Sequence, residues 1–291
     1  MINGTDWIFC QLPVVFALSH FIISILVLLA NGMTVAAVVS VKDLQKPNFI
    51  ILTSVAIVDF STACWMLTGL GKWTQTGQFY YTEDYIGSLA FNVTTFHILF
   101  SYIHHIYLVS ERYLAIFYPY FYVAKIDNKS VTIALVISWA VWIALAVSVT
   151  LEYSIDEFFP IILIFLGLTC LPMYGSHTRI YLEAGKVFRE ITSMSISNNP
   201  AGNHHQRQTR TQNFKATRTT AIILGAFSIS MIPYFLQIVY ELITGKIAER
   251  VCNIGFYLSS SFVYLNCVMN PIIYYVTNTK FRNFNKKIMC K

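Results

Sequence analysis

The sequence predicts an all-α membrane protein: a seven-transmembrane helix bundle with a short amphipathic eighth helix, one domain over residues 1–291. Three observations predict it. The chain is 56% hydrophobic and only 12% charged, about half the charge of an average soluble domain, and its mean hydropathy is +0.57. Long apolar stretches recur along it, each at or above the ~20 residues a helix needs to cross a bilayer. The polar-apolar alternation of barrel strands is absent.

The spans fall at approximately 12–41, 49–71, 85–117, 131–151, 158–188, 214–244 and 251–277. The first lacks the basic n-region and cleavage site of a removable signal peptide and is expected to stay as a signal anchor. Pro172, Pro233 and Pro271 lie inside spans, where neighbouring helices can re-satisfy the carbonyls a proline frees. Asn278 to Met289 places Phe281, Phe284 and Ile288 on one face and Lys280, Arg282, Lys286 and Lys287 elsewhere, the pattern of an interfacial helix over 278–289. The segment from about Ile191 to Asn213, rich in Ser, Asn, Gln, Arg and His, reads as a flexible linker. No internal repeat is evident, which argues against many transporters.

Charge sets the topology. With the N-terminus outside, the outer segments hold Lys72, Lys246 and Arg250 against Asp6, Glu83, Asp84, Glu152, Asp156, Glu157, Glu241 and Glu249, a net of −5. The other 17 basic residues lie at the inner side against Asp43, Glu111, Asp127, Glu183 and Glu190, a net of +12. Buried Asp59 completes the formal total of +6. Basic residues concentrate in cytoplasmic loops, so the chain is expected in the plasma membrane with its N-terminus extracellular and its C-terminus cytoplasmic. The basic inner face suits anionic membrane lipid, and no nucleic-acid partner is expected.

Asp59 is the first functional candidate, because an ionisable residue in a hydrocarbon span is costly to keep. Asn31, Ser101, Asn266 and Asn270 lie at comparable depth, and oxygen ligands around one carboxylate suit a small hard cation or a water network. A protonated, hydrogen-bonded structural Asp is the alternative. Glu111-Arg112-Tyr113 stands at the inner end of the third span, where an ordinary snorkelling anchor is also an option. Asn270-Pro271-Ile272-Ile273-Tyr274 combines a kink, an amide and a phenol near the inner end of the seventh.

Taken in order and depth, these motifs resemble the rhodopsin-like (class A) G protein-coupled receptors over nearly the whole chain. Asn31, Asp59, Glu111-Arg112-Tyr113 with Pro119, Trp139, Phe227 through Pro233-Tyr234-Phe235, and Asn270-Pro271-Ile272-Ile273-Tyr274 with Phe281 fall on the family's motif positions. The resemblance implies a ligand-activated receptor that signals through heterotrimeric G proteins, with arrestin a further partner. It implies a latch of Arg112 with Glu111, a hinge at Pro233, a packing switch at Phe227 and an inward swing of Tyr274. It also implies an allosteric sodium pocket at Asp59, Ser101, Asn266 and Asn270. Cys290 sits where the family is often palmitoylated, an unmodified thiol being the alternative.

The departures from the pattern are as informative. Tyr85-Ile86-Gly87-Ser88 has no cysteine where the family places its third-helix disulfide, and the second outer loop is very short, which resembles the melanocortin and lipid-sensing branch. Cys10 and Cys252 are expected to pair instead, with two free thiols as the alternative. Asn3-Gly4-Thr5 is the usable glycosylation sequon, because those at Asn92 and Asn128 lie in a helix and on the cytoplasmic side. Met231 replaces the sixth-helix Trp, so the usual aromatic toggle is absent or built differently. Either Tyr174 or His177 is the inward polar residue of the fifth helix. His104 and His105 occupy a normally apolar stretch, as proton sensors or as neutral core histidines.

For the ligand, Thr94 stands where amine receptors keep an Asp, and Tyr264 where a retinal protein needs Lys. Inward faces of the outer helix halves give a cup of Met66, Phe91, Thr94, Thr95, Ile98, Met231, Tyr234, Phe235, Ile238, Phe256, Ser260 and Tyr264. With an acidic rim above, a basic peptide, a lipid or a small amphiphile with a cationic end would be steered in. The competing readings are a seven-helix ion or proton channel and a ligand-binding scaffold that does not signal. No nucleophile with a base and no metal set points to an enzyme.

Overall fold

The computed structural model describes residues 14–76, 85–152, 168–169, 171–183, 185–186, 189, 204–244 and 254–289; over 72–76 and 85–96, at 98, over 149–152, over 204–217 and at a few isolated positions the backbone alone is described. Among the described residues all regular structure is helical. The helices are α1 (Val14–Ser40), α2 (Pro47–Thr76), α3 (Tyr85–Phe117), α4 (Pro119–Lys125), α5 (Asn128–Glu152), α6 (171–183), α7 (His204–Thr244), α8 (Ile254–Thr277) and α9 (Thr279–Met289). At 1.5 Å per residue the 27 residues of α1 reach about 40 Å, more than a hydrocarbon core needs. Val15–Ser40, Pro47–Gly71 and Asn128–Ser148 combine the length and hydropathy of membrane spans, with values of 2.4, 1.8 and 2.3. The described part of α3 is less apolar because it carries His97, His104, His105 and Glu111, all of them turned inside.

Polarity is arranged inside out. Asn31, Asp59, Asn266 and Asn270 are buried, whereas Leu18, Val136 and Ile229 are exposed on the outside of the bundle. That is the surface expected against lipid, where apolar side chains face out and backbone polar groups are satisfied within helices. Helix α1 packs on α2 and α8, α2 on α3, α7 on α8, and α5 on α2 and α3. Towards the end that carries Glu111 and Arg112, here called the inner end, Leu44, Ile51, Val55, Leu108, Ile273, Tyr274 and Phe281 form one core cluster. Tyr102, Met173, Ile180, Leu224, Phe227 and Met231 form a second, joining α3, α6 and α7.

The inner turns are built by local chemistry. A 3-10 turn at Lys42–Leu44 buries Leu44 completely, and Pro47 opens α2 at a position where its missing N–H costs nothing. Asp127 caps α5 reciprocally: Ser130 N donates to Asp127 Oδ1 at 2.8 Å and Asp127 N donates to Ser130 Oγ at 3.0 Å. The Ser130 backbone N–H, and then its side chain, hold the Asp127 carboxyl below the usual carboxylate range. Asn128 Nδ2 donates to Gln45 O at 2.9 Å and joins the start of α5 to the first inner turn.

Two expectations need correction. The sixth apolar span is the end of a longer helix: α7 begins at His204, not at 214, so residues 204–213 of the expected linker are helical. That segment, His-His-Gln-Arg-Gln-Thr-Arg-Thr-Gln-Asn, contains no Gly or Pro and continues the helix as a polar extension that hydropathy cannot reveal. Helix α4 was not foreseen either; Pro119 at its start is pre-set for helix, and only its last turn carries a charge, Lys125. The interfacial helix is α9, with Phe281 fully buried and Asn278 outside it, where Asn278 Oδ1 accepts from Lys280 N at 2.9 Å. An exposed ion pair of Lys280 with Asp43 at 2.9 Å ties α9 to the first inner turn and lowers the Asp43 carboxyl.

Candidate functional site

Glu111 and Arg112 meet at the inner end of α3. Arg112 Nε donates to Glu111 Oε2 at 2.5 Å and Nη2 donates to Oε1 at 2.7 Å, a bidentate fork. Their side chains are 3% and 12% exposed, so water screens the pair little. Tyr122 on α4 donates its hydroxyl to Glu111 Oε1 at 2.6 Å. Burial, and then the Glu111 charge and hydrogen bond, push the Tyr122 phenol well above its ordinary range, so it remains a donor at any physiological pH. Tyr113 points elsewhere: its hydroxyl accepts from Arg179 Nη1 at 3.0 Å, and Arg179 lies 5.5 Å from the Phe117 ring centre. Tyr113 therefore ties α3 to α6.

Tyr122 is the partner of Glu111 that reading the sequence missed. The signal was Pro119, which starts a helix whose fourth residue turns back onto α3. Changing Tyr122 to Phe removes one charge-assisted bond from Glu111, worth about 1.5–3 kcal/mol. For a receptor of the kind the sequence resembles, the expected result is a rise in ligand-independent nucleotide exchange of about tenfold or more, read with a labelled GTP analogue in membranes.

The buried polar core lies further into the bundle. Proline 271 has no N–H for the carbonyl four residues back, that of Cys267; Asn31 Nδ2 donates to that oxygen at 2.9 Å and to Val27 O at 3.0 Å. The first-helix Asn thus compensates the seventh-helix kink. Asn270 Nδ2 donates to Asp59 Oδ2 at 3.1 Å. A small cavity, ≈ 10 Å³ to the centre of a water-sized sphere, is lined by Asp59, Thr62, His97, Ser101, Met231, Val263, Tyr264, Asn266 and Cys267. Asn270 is not among its lining residues; it braces Asp59 from the side. Asp59 Oδ1 and Asn266 Oδ1 are buried without hydrogen-bond partners.

The two neighbouring histidines differ. His104 Nδ1 meets Phe100 O at 2.8 Å, and its Nε2 meets Ser54 Oγ at 2.8 Å, while Trp139 Nε1 donates to the same Oγ at 2.9 Å. A carbonyl only accepts, so Nδ1 carries a proton, Ser54 donates to Nε2, and a neutral ring satisfies every partner. His104 is a core histidine. His105 Nδ1 meets Ser101 O at 2.8 Å, but its Nε2 has no partner.

Of the expected ligand cup, Met66, Met231, Ser260 and Tyr264 are buried, and Tyr234 and Phe235 pack against the Phe227 cluster. Met231 and Tyr264 line the small cavity, and Tyr264 meets the His20 ring edge-on at 5.6 Å. The side chains of Phe91, Thr94, Thr95, Ile98, Ile238 and Phe256 lie outside the described residues, as do Asn3, Cys10, Cys252 and Cys290. Of Tyr174 and His177, His177 has its Nε2 3.2 Å from Ala221 O of α7. Tyr174 packs against the Phe227 cluster. Tyr274 is buried and stacked on Phe281, ring centres 6.0 Å apart, with its hydroxyl unpartnered.

The architecture is a helical bundle with a proline inside the last long apolar helix, a buried carboxylate and an inner Glu–Arg ion pair. A profile of the 7 transmembrane receptor (rhodopsin family) matches residues 30–274, and the chain belongs to that family. It is a multi-pass G protein-coupled receptor and not an enzyme. Among its relatives, mouse trace amine-associated receptor 1 is 24% identical over 288 residues, covering 90% of this chain and 84% of the relative. Mouse trace amine-associated receptor 4 is 24% identical over 86% of this chain and 78% of the relative. Zebrafish (Danio rerio) trace amine-associated receptor 13c is 24% identical over 84% and 77%.

Proposed function

We propose that the described state is the latched form of a ligand-activated receptor, and that activation frees Arg112 from Glu111 as the inner part of α7 swings outward about Pro233. The carrying observation is the bidentate Glu111–Arg112 pair held by Tyr122. A latch of this kind is a two-state element: a ligand acts by binding one state better than the other. Freed, the guanidinium and the basic inner face are available to a heterotrimeric G protein and afterwards to arrestin. The outer surface carries the N-terminus. Nucleotide exchange on a panel of heterotrimers, in membranes bearing the receptor or Arg112→Ala, tests the reading; exchange that survives the substitution unchanged sinks it.

For the ligand, we infer an apolar body with a cationic end, or a basic peptide or lipid. Relatives are named for trace amines, yet Thr94 offers no carboxylate as counter-ion, so the rim acids Glu83, Glu152, Asp156, Glu157 and Glu241 would supply the attraction.

Sodium fits the cavity at Asp59. Among the described residues no trio of His, Cys, Asp or Glu side chains is placed for a metal ion, but a hard monovalent ion asks for oxygens. The unpartnered Oδ1 atoms of Asp59 and Asn266, with Ser101 beside them, are such a set. Bound there, sodium would supply a positive charge that stabilises the latched packing by mass action. Replacing sodium in the medium by a bulky organic cation should then raise basal exchange in the wild type and leave Asp59→Asn unaffected. An equal response in both would remove sodium from this site.

A further inference from the structure

The absence of a Trp at Met231 leaves open what couples α3 to the moving part of α7, and the ring pair His105 and Phe227 answers it. The two rings stack with centres 3.9 Å apart and planes at 20°, the shortest ring separation in the described bundle. Both side chains have no exposed surface. Phe227 lies six residues from Pro233 on the side that swings, so hinge rotation moves its ring while His105 stays on α3. The stack has to slide or part. Met231, one turn beyond Phe227, belongs to the same cluster and presents no ring.

His105 also carries a strain that an apolar residue would not. Nδ1 is engaged by Ser101 O, while Nε2 is buried without a hydrogen bond, with the Asn270 amide as its polar neighbour. Asn270 Oδ1 is equally unpartnered, and its Nδ2 is held by Asp59. A buried polar atom without a partner destabilises the state that leaves it so. Stacking favours the latched packing; the unpartnered Nε2 opposes it.

We propose that His105 and Phe227 form the aromatic toggle of this receptor, one turn inward of the family's Trp position, with the orphaned Nε2 as the element that favours opening. Moving the Phe227 ring away makes room for water at Nε2, or for the neighbouring Asn270 amide to leave Asp59 and turn an N–H towards it, so the packing switch on α7 and the Asp59–Asn270 pair change together. This inference rests on the receptor reading above.

Substitution separates the two roles of the imidazole. His105→Phe keeps a ring and removes the orphan, so basal exchange should fall below wild type. His105→Asn keeps a polar side chain and loses the stack, so basal exchange should rise about two- to tenfold, the range a ring pair represents. Where the larger ring lowers the amount of folded receptor, Phe227→Leu tests the stack from the other side. It should raise exchange as His105→Asn does, and the double variant should add nothing further. The carbon-13 methyl signal of Met231 in the purified receptor reports the same equilibrium without any G protein: a second population should grow in His105→Asn and vanish in His105→Phe. The toggle is overturned if folded Phe and Asn variants move in the same direction, if neither moves, or if the double variant is additive. If the Met231 signal follows the prediction while no heterotrimer responds to any form, the toggle stands and the transducer reading fails.

Discussion

Glu111→Gln should raise ligand-independent nucleotide exchange by about ten- to a hundredfold, up to the ceiling set by full activation. The substitution keeps the size and planarity of the side chain and removes its charge. One of the two oxygens that accept from Arg112 becomes an amide NH2 that cannot accept, and the other, shared with Tyr122, loses its negative charge. Each hydrogen bond to a charged group contributes about 1.5–3 kcal/mol net, and even one such loss moves a two-state equilibrium by the stated factor. Sparse exposure of the pair is what makes the effect large, since an exposed ion pair such as Lys280 with Asp43 is screened by water and contributes little. Lys280→Ala on α9 is therefore the control, with basal exchange unchanged within about twofold. Arg112→Ala has the opposite outcome from Glu111→Gln: the latch opens, but the guanidinium that meets the transducer is gone, and exchange falls to background. If Glu111→Gln stays at the wild-type level while the protein reaches the membrane, the pair is an anchor and not a latch.

The parts legible in the sequence are those where one residue is an exception to its surroundings. Asp59 in an apolar run, Pro271 inside a span and Glu111-Arg112 at a span's end each violate the rules of a lipid-buried helix, and violations of that kind point to function. The seven apolar stretches follow from the same rules. What stayed hidden depends on how helices rotate against one another. Nothing in the order of residues places Tyr122 on Glu111, because the seven residues of α4 are too few to stand out in the hydropathy signal. The start of α7 is hidden for a different reason: it is polar and carries no apolar stripe. His105 was visible as an oddity, but neither its unpartnered nitrogen nor its ring partner could be read, since both depend on the approach of α3 to α7. The pairing of Asn31 with Cys267 O lies between: the carbonyl freed by Pro271 follows from sequence, and the donor that fills it does not.

The largest effect on stability should come from Phe100→Ala. Phe100 is 1% exposed and sits where α3 meets α5: its ring stacks on Trp142 at 4.7 Å with planes at 3°, and meets Trp139 at 4.8 Å and His104 at 4.4 Å edge-on. Truncation removes three ring contacts and leaves a cavity between rigid neighbours that cannot close on it, and Phe-to-Ala changes in such sites cost about 3–5 kcal/mol. The damage would spread, because the Trp139 ring that donates to Ser54 and the His104 ring that meets the same hydroxyl both lose their packing partner. Val136→Ala, on the outward face of α5, should change stability by about 0.5 kcal/mol or less. Thermal unfolding of the purified receptor in one detergent distinguishes the two: a clear fall in midpoint for Phe100→Ala against none for Val136→Ala. Equal midpoints would mean that α5 docks on α3 by some contact other than this aromatic cluster, and the Ser54–His104–Trp139 network would then be a consequence of that docking and not its support.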